Sequence, residues 1–128
     1  MKLLLDTHTL VWWLTNSPKL SKAAREHIAA QENAVFVSAA SAWEIATKAR
    51  IGRWPEVVPL VSLFPGVIEA SGFEPLAITV RHANRAGSLA VPHADPFDRM
   101  LAAQVELEVM TLVSADPAFA GFDISVLW

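Results

Sequence analysis

Short apolar runs alternate with segments of helical composition along the whole chain. Five strands are predicted, at Lys2–Leu5, Ala34–Val37, Glu74–Ile78, Met110–Ser114 and Ile124–Leu127. Helices are predicted at Ser21–Gln31, Ser38–Gly52, Thr79–Gly87 and Asp95–Glu108, with a weaker helical stretch at Pro59–Ser71 that Pro65 interrupts. This alternation favours a three-layer α/β/α sandwich around a mostly parallel sheet of four to five strands.

Composition narrows the class of protein further. The 128 residues predict a single domain, 1–128, and 53 % of them are hydrophobic, which argues against disorder. The absence of cysteine excludes disulfide frameworks, thiolate zinc sites and cysteine nucleophiles. The longest uncharged stretch, Val57–Ile68, is too short to span a membrane, so we expect a cytoplasmic protein. A net charge of −3 gives no overall attraction to nucleic acid.

Four acidic residues fall where predicted strands end or helices begin. Asp6 directly follows the first strand, and Asp116 lies two residues after the strand that ends at Ser114. Glu44 lies in the helix after the second strand, and Asp98 lies in a first helical turn. Ligand sites of open parallel sheets form beyond the carboxyl ends of strands. Because clustered carboxylates repel one another, their meeting there would call for Mg²⁺ or Mn²⁺, which prefer oxygen ligands.

Each of these acids also has a purely structural interpretation. Asp6 could serve a turn or a helix cap, and Asp116, which precedes a proline, could start a turn. Ser41 and Glu44 have the spacing of a capping box. Asp95 could be an N-cap, with Asp98 stabilised by the positive end of the helix. Their joint occurrence at ends that should converge favours a shared site.

Four segments, in this order and at this spacing, resemble a PIN domain and, more narrowly, the VapC toxins of bacterial toxin–antitoxin modules. They are Leu-Leu-Leu-Asp6-Thr7-His8, Ser38-Ala-Ala-Ser41-Ala-Trp43-Glu44-Ile45, Asp95-Pro-Phe-Asp98-Arg99-Met-Leu-Ala-Ala-Gln104 and Leu-Val-Ser114-Ala-Asp116-Pro-Ala-Phe119. The resemblance covers nearly the whole chain. It implies the PIN fold and metal-dependent cleavage of RNA phosphodiester bonds.

The resemblance also implies roles for individual residues. The family's acidic quartet falls on Asp6, Glu44, Asp98 and Asp116. We expect Asp6 and Asp98 to be the principal ligands of Mg²⁺ or Mn²⁺, with Glu44 and Asp116 binding directly or through water. Accessory roles are expected for Asp95, Thr7 and Ser114; Ser114 stands where many members have threonine. A homodimer and a VapB-like antitoxin are the implied partners.

Basic residues should border an acidic site that receives RNA. The candidates are Lys48, Arg50, Arg53, Arg81, Arg85 and Arg99, although solvated helix faces would account for any of them equally well. We expect His82 and His93 to be surface or capping residues. Trp12, Trp13, Trp43 and Trp54 and the stretch Val57–Phe64 should be mostly core, with some left as an exposed interaction patch.

Two alternatives belong to other classes of protein. Asp6 could be the covalent nucleophile of a haloacid-dehalogenase-like phosphatase, but that chemistry needs a second acid two residues later, where this chain has His8. The chain could also be a non-catalytic module that binds RNA or an antitoxin with the same fold. The complete set of four acids argues against such a loss of activity.

Overall fold

The computed structural model describes residues 1–128 and contains one sheet of five parallel strands. The strands are β1 (Lys2–Leu5), β2 (Ala34–Ser38), β3 (Glu74–Leu76), β4 (Thr111–Val113) and β5 (Val126–Leu127). Their spatial order is β3-β2-β1-β4-β5. The chain therefore builds outward from β1 in one direction and then returns to build in the other, so the strand order reverses between β1 and β4.

Seven α-helices connect the strands. They are α1 (Thr7–Leu14), α2 (Lys22–Ala29), α3 (Ala39–Arg50), α4 (Val58–Val61), α5 (Gly66–Ala70), α6 (Val80–Ser88) and α7 (Pro96–Glu108). Two 3₁₀ turns, Pro55–Val57 and Pro117–Gly121, complete the chain. None of the helices combines the length and the apolar character that crossing a bilayer requires.

The core has two parts, one on each face of the sheet. Leu3 and Leu5 of β1 point into a cluster that includes side chains of α1 and α2, whereas Leu4 between them packs with side chains of α7. All three leucines are fully buried. Each such side chain contributes about 1.5–3 kcal/mol relative to an exposed one. Because alternate residues serve opposite faces, a shift of one residue would misplace all three, which fixes the register of β1. The predicted three-layer α/β/α sandwich is confirmed.

The structure differs from the sequence-based prediction mainly after β1. The helix α1 was not predicted, and neither was the 3₁₀ turn at Pro117–Gly121. The strands β3, β4 and β5 are two or three residues long and therefore shorter than predicted. The predicted helix starts are confirmed, since Ser21 and Thr79 are the N-caps of α2 and α6 and their side chains accept backbone hydrogen bonds there.

Candidate functional site

The carboxyl ends of β1 and β4 form an acidic edge of the sheet. Asp6 follows β1 directly, and its backbone N–H donates to the carbonyl of Val113 in β4 at 3.1 Å. Asp6 and Asp116 line one cavity of about 240 Å³ together with His8, Trp12, Ala115 and Pro117. This cavity lies where the strand order reverses, which is where open parallel sheets bind their ligands. The sequence-based expectation that Asp6 and Asp116 meet at one edge agrees with this geometry.

Asp6 is a buried carboxylate without a salt-bridge partner. The residue is 4 % exposed, and Ser114 Oγ donates to its Oδ2 at 2.8 Å. Burial raises the pKa of Asp6 above its ordinary value, and the charge of Glu44 acts in the same direction. The hydrogen bonds from Ser114 and the backbone of Thr7, together with the nearby His8, oppose this rise. A bound cation would relieve the cost of keeping this carboxylate ionised.

Asp98 shares this electrostatic environment from the start of α7. Burial raises the pKa of Asp98 to about 6; the hydrogen bond from His93 opposes this, while the negative charges of Asp95, Asp6 and Glu44 add to it. His93 Nε2 lies 2.8 Å from Asp98 Oδ2. The negative charges of Asp6 and Glu44, from separate parts of the chain, thus lie close enough to Asp98 to raise its pKa.

Asp95 has a local structural role. Its Oδ1 accepts hydrogen bonds from the backbone N–H groups of Phe97 and Asp98, at 2.9 and 3.1 Å. Asp95 is thus the N-cap of α7, with Pro96 at the first helical position. The cap holds the first turn of α7 in place and thereby positions Asp98 at the acidic edge.

Glu44 lies inside the fold rather than at a helix start. The N-cap of α3 is Ser38, so the capping box considered for Ser41 and Glu44 does not form. Ser41 instead hydrogen-bonds Thr7 Oγ1 at 2.9 Å and ties α3 to the start of α1. Glu44 is 3 % exposed and forms an ion pair with Lys48, one helical turn later. In this structure Lys48 supplies the positive charge that the buried Glu44 carboxylate requires.

Asp116 both starts a turn and lies at the acidic edge, the two roles that the sequence allowed for it. Its Oδ1 accepts a hydrogen bond from the backbone N–H of Ala118 at 2.9 Å, which caps the 3₁₀ turn. Its own backbone N–H donates to Ser114 Oγ at 3.0 Å. Ser114 therefore links Asp116 to Asp6, which gives this predicted accessory residue a positioning role at the site.

The four acidic side chains offer the kind of ligand atom that a hard divalent cation prefers, but they do not surround a metal position on all sides. All four side chains offer carboxylate oxygens, which Mg²⁺ and Mn²⁺ prefer. Nevertheless, nowhere in the structure do three or more acidic or histidine side chains come close enough together to hold a metal ion. Glu44 is engaged by Lys48 and Asp98 by His93. The residues therefore fit an ion held by one or two carboxylates and otherwise by water, as is usual for Mg²⁺.

The six basic candidates divide into two groups. Lys48 pairs with Glu44, Arg85 pairs with Glu106, and Arg99 donates to backbone carbonyls between Ala86 and His93. The structure therefore gives Arg99 a role in the fold, and its expected contact with RNA stays a prediction. The remaining three, which are exposed and form no side-chain hydrogen bond or ion pair, are Arg50, Arg53 and Arg81.

Two histidines behave differently from each other. His82 forms a capping box with Thr79 and contacts Glu108 at 2.9 Å, as its sequence position suggested. His93 was expected at the surface or in a cap, but it contacts Asp98 instead. The only available signal was that His93 lies five residues before Asp98. His8 and Trp12, which line the cavity, were also not predicted as site residues, because α1 was not predicted.

The raised pKa of Asp98 predicts a specific dependence of stability on pH. Asp98 titrates near 3.8 in an unfolded chain and at about 6 in the folded one, so the folded state binds the proton more tightly. In the absence of metal, acidification from pH 7.5 to 5 should therefore stabilise the protein through this group, and no further gain is expected below about pH 4. The substitution Asp98→Asn should remove this contribution. Thermal unfolding in chelator at both pH values measures it, and an equal shift in the two proteins would contradict the raised pKa.

Part of the chain is similar to a known ribonuclease. Ribonuclease VapC16 of Mycobacterium tuberculosis is 40 % identical to this chain over 50 residues. That match covers 39 % of this chain and 36 % of the relative, so it spans about a third of the relative's length.

Solved structures match over almost the full chain and show a shared fold. VapBC2 from Rickettsia felis, bound to a DNA fragment from its promoter, matches with a TM-score of 0.67 at 15 % identity, and the match covers 99 % of this chain and 98 % of the VapBC2 chain. FitAcB from Neisseria gonorrhoeae matches with a TM-score of 0.67 at 18 % identity, and the match covers 98 % of this chain and 96 % of the FitAcB chain. The family model described as PIN domain matches residues 3–124. Together with the acidic edge at the reversal of strand order, this match shows that the chain belongs to the PIN domain family.

Proposed function

We propose that this chain is a divalent-metal-dependent endoribonuclease and the toxin of a VapBC-type toxin–antitoxin module. The observation that carries the proposal is the convergence of carboxylates distant in sequence at the carboxyl edge of the sheet: Asp6 and Asp116 line one cavity, and burial together with neighbouring negative charges raises the pKa of Asp6 and of Asp98. Keeping such groups close together is costly unless a cation binds among them. The similarity to Ribonuclease VapC16 supports RNA as the substrate.

The residues of the site have distinct roles in this proposal. Asp6 and Asp98 would hold the ion, with Glu44 and Asp116 acting directly or through water. A bound divalent cation would polarise the phosphodiester and neutralise charge that develops in the transition state. Ser114 orients Asp6 by its hydrogen bond, and His93 orients Asp98. Of the two rival interpretations, the non-catalytic module differs only in lacking turnover, and the phosphatase would require covalent attack by Asp6.

Partners are also part of the proposal. We infer that the chain pairs with a VapB-like antitoxin and forms a homodimer. Support comes from the similar structures, which are VapBC assemblies by name. A second support is that half of the large hydrophobic side chains left exposed lie between residues 43 and 63, namely Trp43, Ile51, Val58, Val61 and Leu63. Several exposed apolar side chains within one short segment are more than the scattered single ones that need no explanation.

The direct test is cleavage of single-stranded RNA by the purified chain. A pool of end-labelled random oligoribonucleotides should be cut in Mg²⁺ or Mn²⁺ and remain intact in chelator, because the carboxylates alone cannot neutralise the phosphate. Sequencing of the RNA ends then identifies the cut positions. Metal-independent cleavage would contradict the mechanism. RNA binding without cleavage in either metal would favour the non-catalytic module, and trapping of beryllium trifluoride on Asp6 would favour the phosphatase.

A further inference from the structure

Aromatic side chains form a continuous row beside the acidic cavity. The ring of His8 stacks on Trp54, with centroids 4.5 Å apart and planes at 27°. The centroid of the His8 ring also lies 5.9 Å from that of Trp12, which in turn meets Trp128 edge-on at 5.7 Å. We call these four residues, Trp54, His8, Trp12 and Trp128, the aromatic row. None of them is among the acidic residues proposed to hold the metal ion.

Two members of the aromatic row face the cavity itself. His8 and Trp12 are four residues apart in α1, so they share one face of that helix. Both line the cavity that Asp6 and Asp116 also line. His8 is exposed, and Trp12 is half-buried and packs against the core. The rings are thus held by their neighbours and yet remain accessible from the cavity, so little conformational entropy would be lost if a flat ligand stacked on them.

The acidic edge creates a problem for an anionic substrate. The cavity walls carry Asp6 and Asp116, and the whole chain has a net charge of −3. One bound divalent cation would offset these carboxylates without making the cavity strongly positive, so electrostatic attraction to phosphates does not supply all the affinity for RNA at this place. Stacking of bases on aromatic rings is independent of net charge and tolerates any base, and single-stranded nucleic acids are commonly bound in this way.

A cation lies at one end of the aromatic row. Lys48 Nζ is 5.8 Å from the centre of the Trp54 ring, and the side chain is 27 % exposed. Lys48 also pairs with Glu44, which holds the cation in place at this end of the row. This combination of flat rings and a neighbouring cation matches a nucleotide better than an acidic or aliphatic peptide segment.

We propose that Trp12 and His8 form a stacking subsite for one nucleobase of single-stranded RNA, next to the phosphodiester at the acidic edge. The subsite rests on the proposed ribonuclease function and names how its substrate is held. It predicts that the chain needs an intact base at one fixed position relative to the cut, with little preference among the four bases.

The test measures RNA binding in chelator, where binding does not depend on cleavage. The probe is a short fluorescently labelled oligoribonucleotide containing a cut position found in the cleavage assay or, if none is found, drawn from the same pool. Trp12→Leu keeps an apolar side chain but removes the aromatic face, and it should weaken binding about tenfold. His8→Leu should act in the same direction, whereas Trp12→Phe should bind much as the wild type does.

The same helix offers a matched control. Trp13 packs against Phe73, with ring centroids 5.9 Å apart, and does not line the cavity. Trp13→Leu therefore removes an indole from α1 without touching the subsite, and RNA binding should be unchanged. Circular dichroism and urea unfolding establish that each variant is folded. If Trp12→Leu does not fold, His8→Leu, which alters an exposed side chain, decides the question.

Abasic nucleotides distinguish stacking from a general loss of affinity. Removal of one base at the critical position should weaken binding to the wild type but have no further effect on Trp12→Leu, since the two changes remove the same interaction. Independent losses, or wild-type affinity of both Trp12→Leu and His8→Leu, would overturn the subsite. If these variants bind RNA normally but lose a co-purifying protein, the row is a protein-binding surface and the inference is wrong.

Failure of the subsite and failure of the proposed function give different results. If the wild type cleaves RNA and the Trp12→Leu and His8→Leu variants cleave it equally well, the protein has the proposed function without the subsite. A chain that shows the abasic effect but does not cleave RNA in Mg²⁺ or Mn²⁺ has the subsite without the proposed catalysis.

Discussion

Replacing Asp6 by asparagine should abolish RNA cleavage while leaving the fold at least as stable as before. The amide has the shape of the carboxylate but neither its charge nor its affinity for Mg²⁺. Loss of several kcal/mol of transition-state stabilisation corresponds to a decrease in rate of about a hundredfold or more. Because burial raises the pKa of Asp6, its ionised form costs free energy in the folded state, and asparagine removes that cost.

This pair of outcomes separates a functional residue from a structural one. Replacing a residue that serves only a turn or a cap should lower the stability of the protein. The Asp6→Asn protein should instead lose activity and keep its stability. The measurements are the cleavage rate in Mn²⁺, the Mn²⁺ affinity from a titration, and urea unfolding in chelator at pH 7.5. Glu32→Gln provides the control, because Glu32 is exposed and lies just before β2, at the opposite edge of the sheet. Wild-type cleavage by Asp6→Asn would refute the assignment of Asp6.

The acidic edge could be predicted from sequence because its geometry follows from strand topology. Asp6 and Asp116 follow strands that pair in parallel, so their proximity requires only that the strands β1 and β4 be neighbours. Asp98 is positioned by a capped helix whose start, Asp95-Pro96, is readable from local chemistry. These features depend on backbone rules that hold for short segments.

His8 and Trp12, the two aromatic residues that line the cavity, could not be predicted as site residues because the sequence of α1 does not indicate a helix. Five of the eight residues of Thr7–Leu14 are threonine, valine or tryptophan, which favour strands over helices. Asp6 makes no side-chain cap that would have announced the helix. Tertiary packing stabilises this helix instead. The chain turns away from the sheet after Asp6, and the helix buries Leu10 and Val11 in the core. Without α1, nothing in the sequence places His8 and Trp12 on one face.

The contacts of Arg99 were equally inaccessible to sequence reasoning. Its guanidinium donates to the backbone carbonyls of Ala86, Gly87, Leu89, Val91 and His93, at 2.6–3.5 Å. These carbonyls belong to the end of α6 and the irregular segment that leads to α7. Backbone acceptors in such a segment leave no signature in residue type, and an arginine next to Asp98 is equally consistent with a contact to RNA.

Arg99→Lys should therefore be strongly destabilising even though it preserves the charge. A lysine has one nitrogen and cannot bridge five carbonyls, whereas the planar guanidinium donates in several directions at once. We expect a loss of about 2–4 kcal/mol in the free energy of unfolding, since several hydrogen bonds to a charged group disappear and partly buried carbonyls lose their donors. Urea unfolding measures this loss. Arg81→Lys, which alters an exposed arginine of α6 without side-chain bonds, should change stability by less than about 0.5 kcal/mol.

The same variant tests how the segment before α7 supports the site. His93 offers its carbonyl to Arg99 and its ring to Asp98, so loosening the segment should also loosen the contact at Asp98. The Mn²⁺ affinity of Arg99→Lys, measured where the variant remains folded, should then fall although Arg99 contacts no acidic residue of the site. An Arg99→Lys protein with wild-type stability but weaker, less salt-dependent RNA binding would instead restore the role that the sequence suggested, a contact with the phosphate backbone.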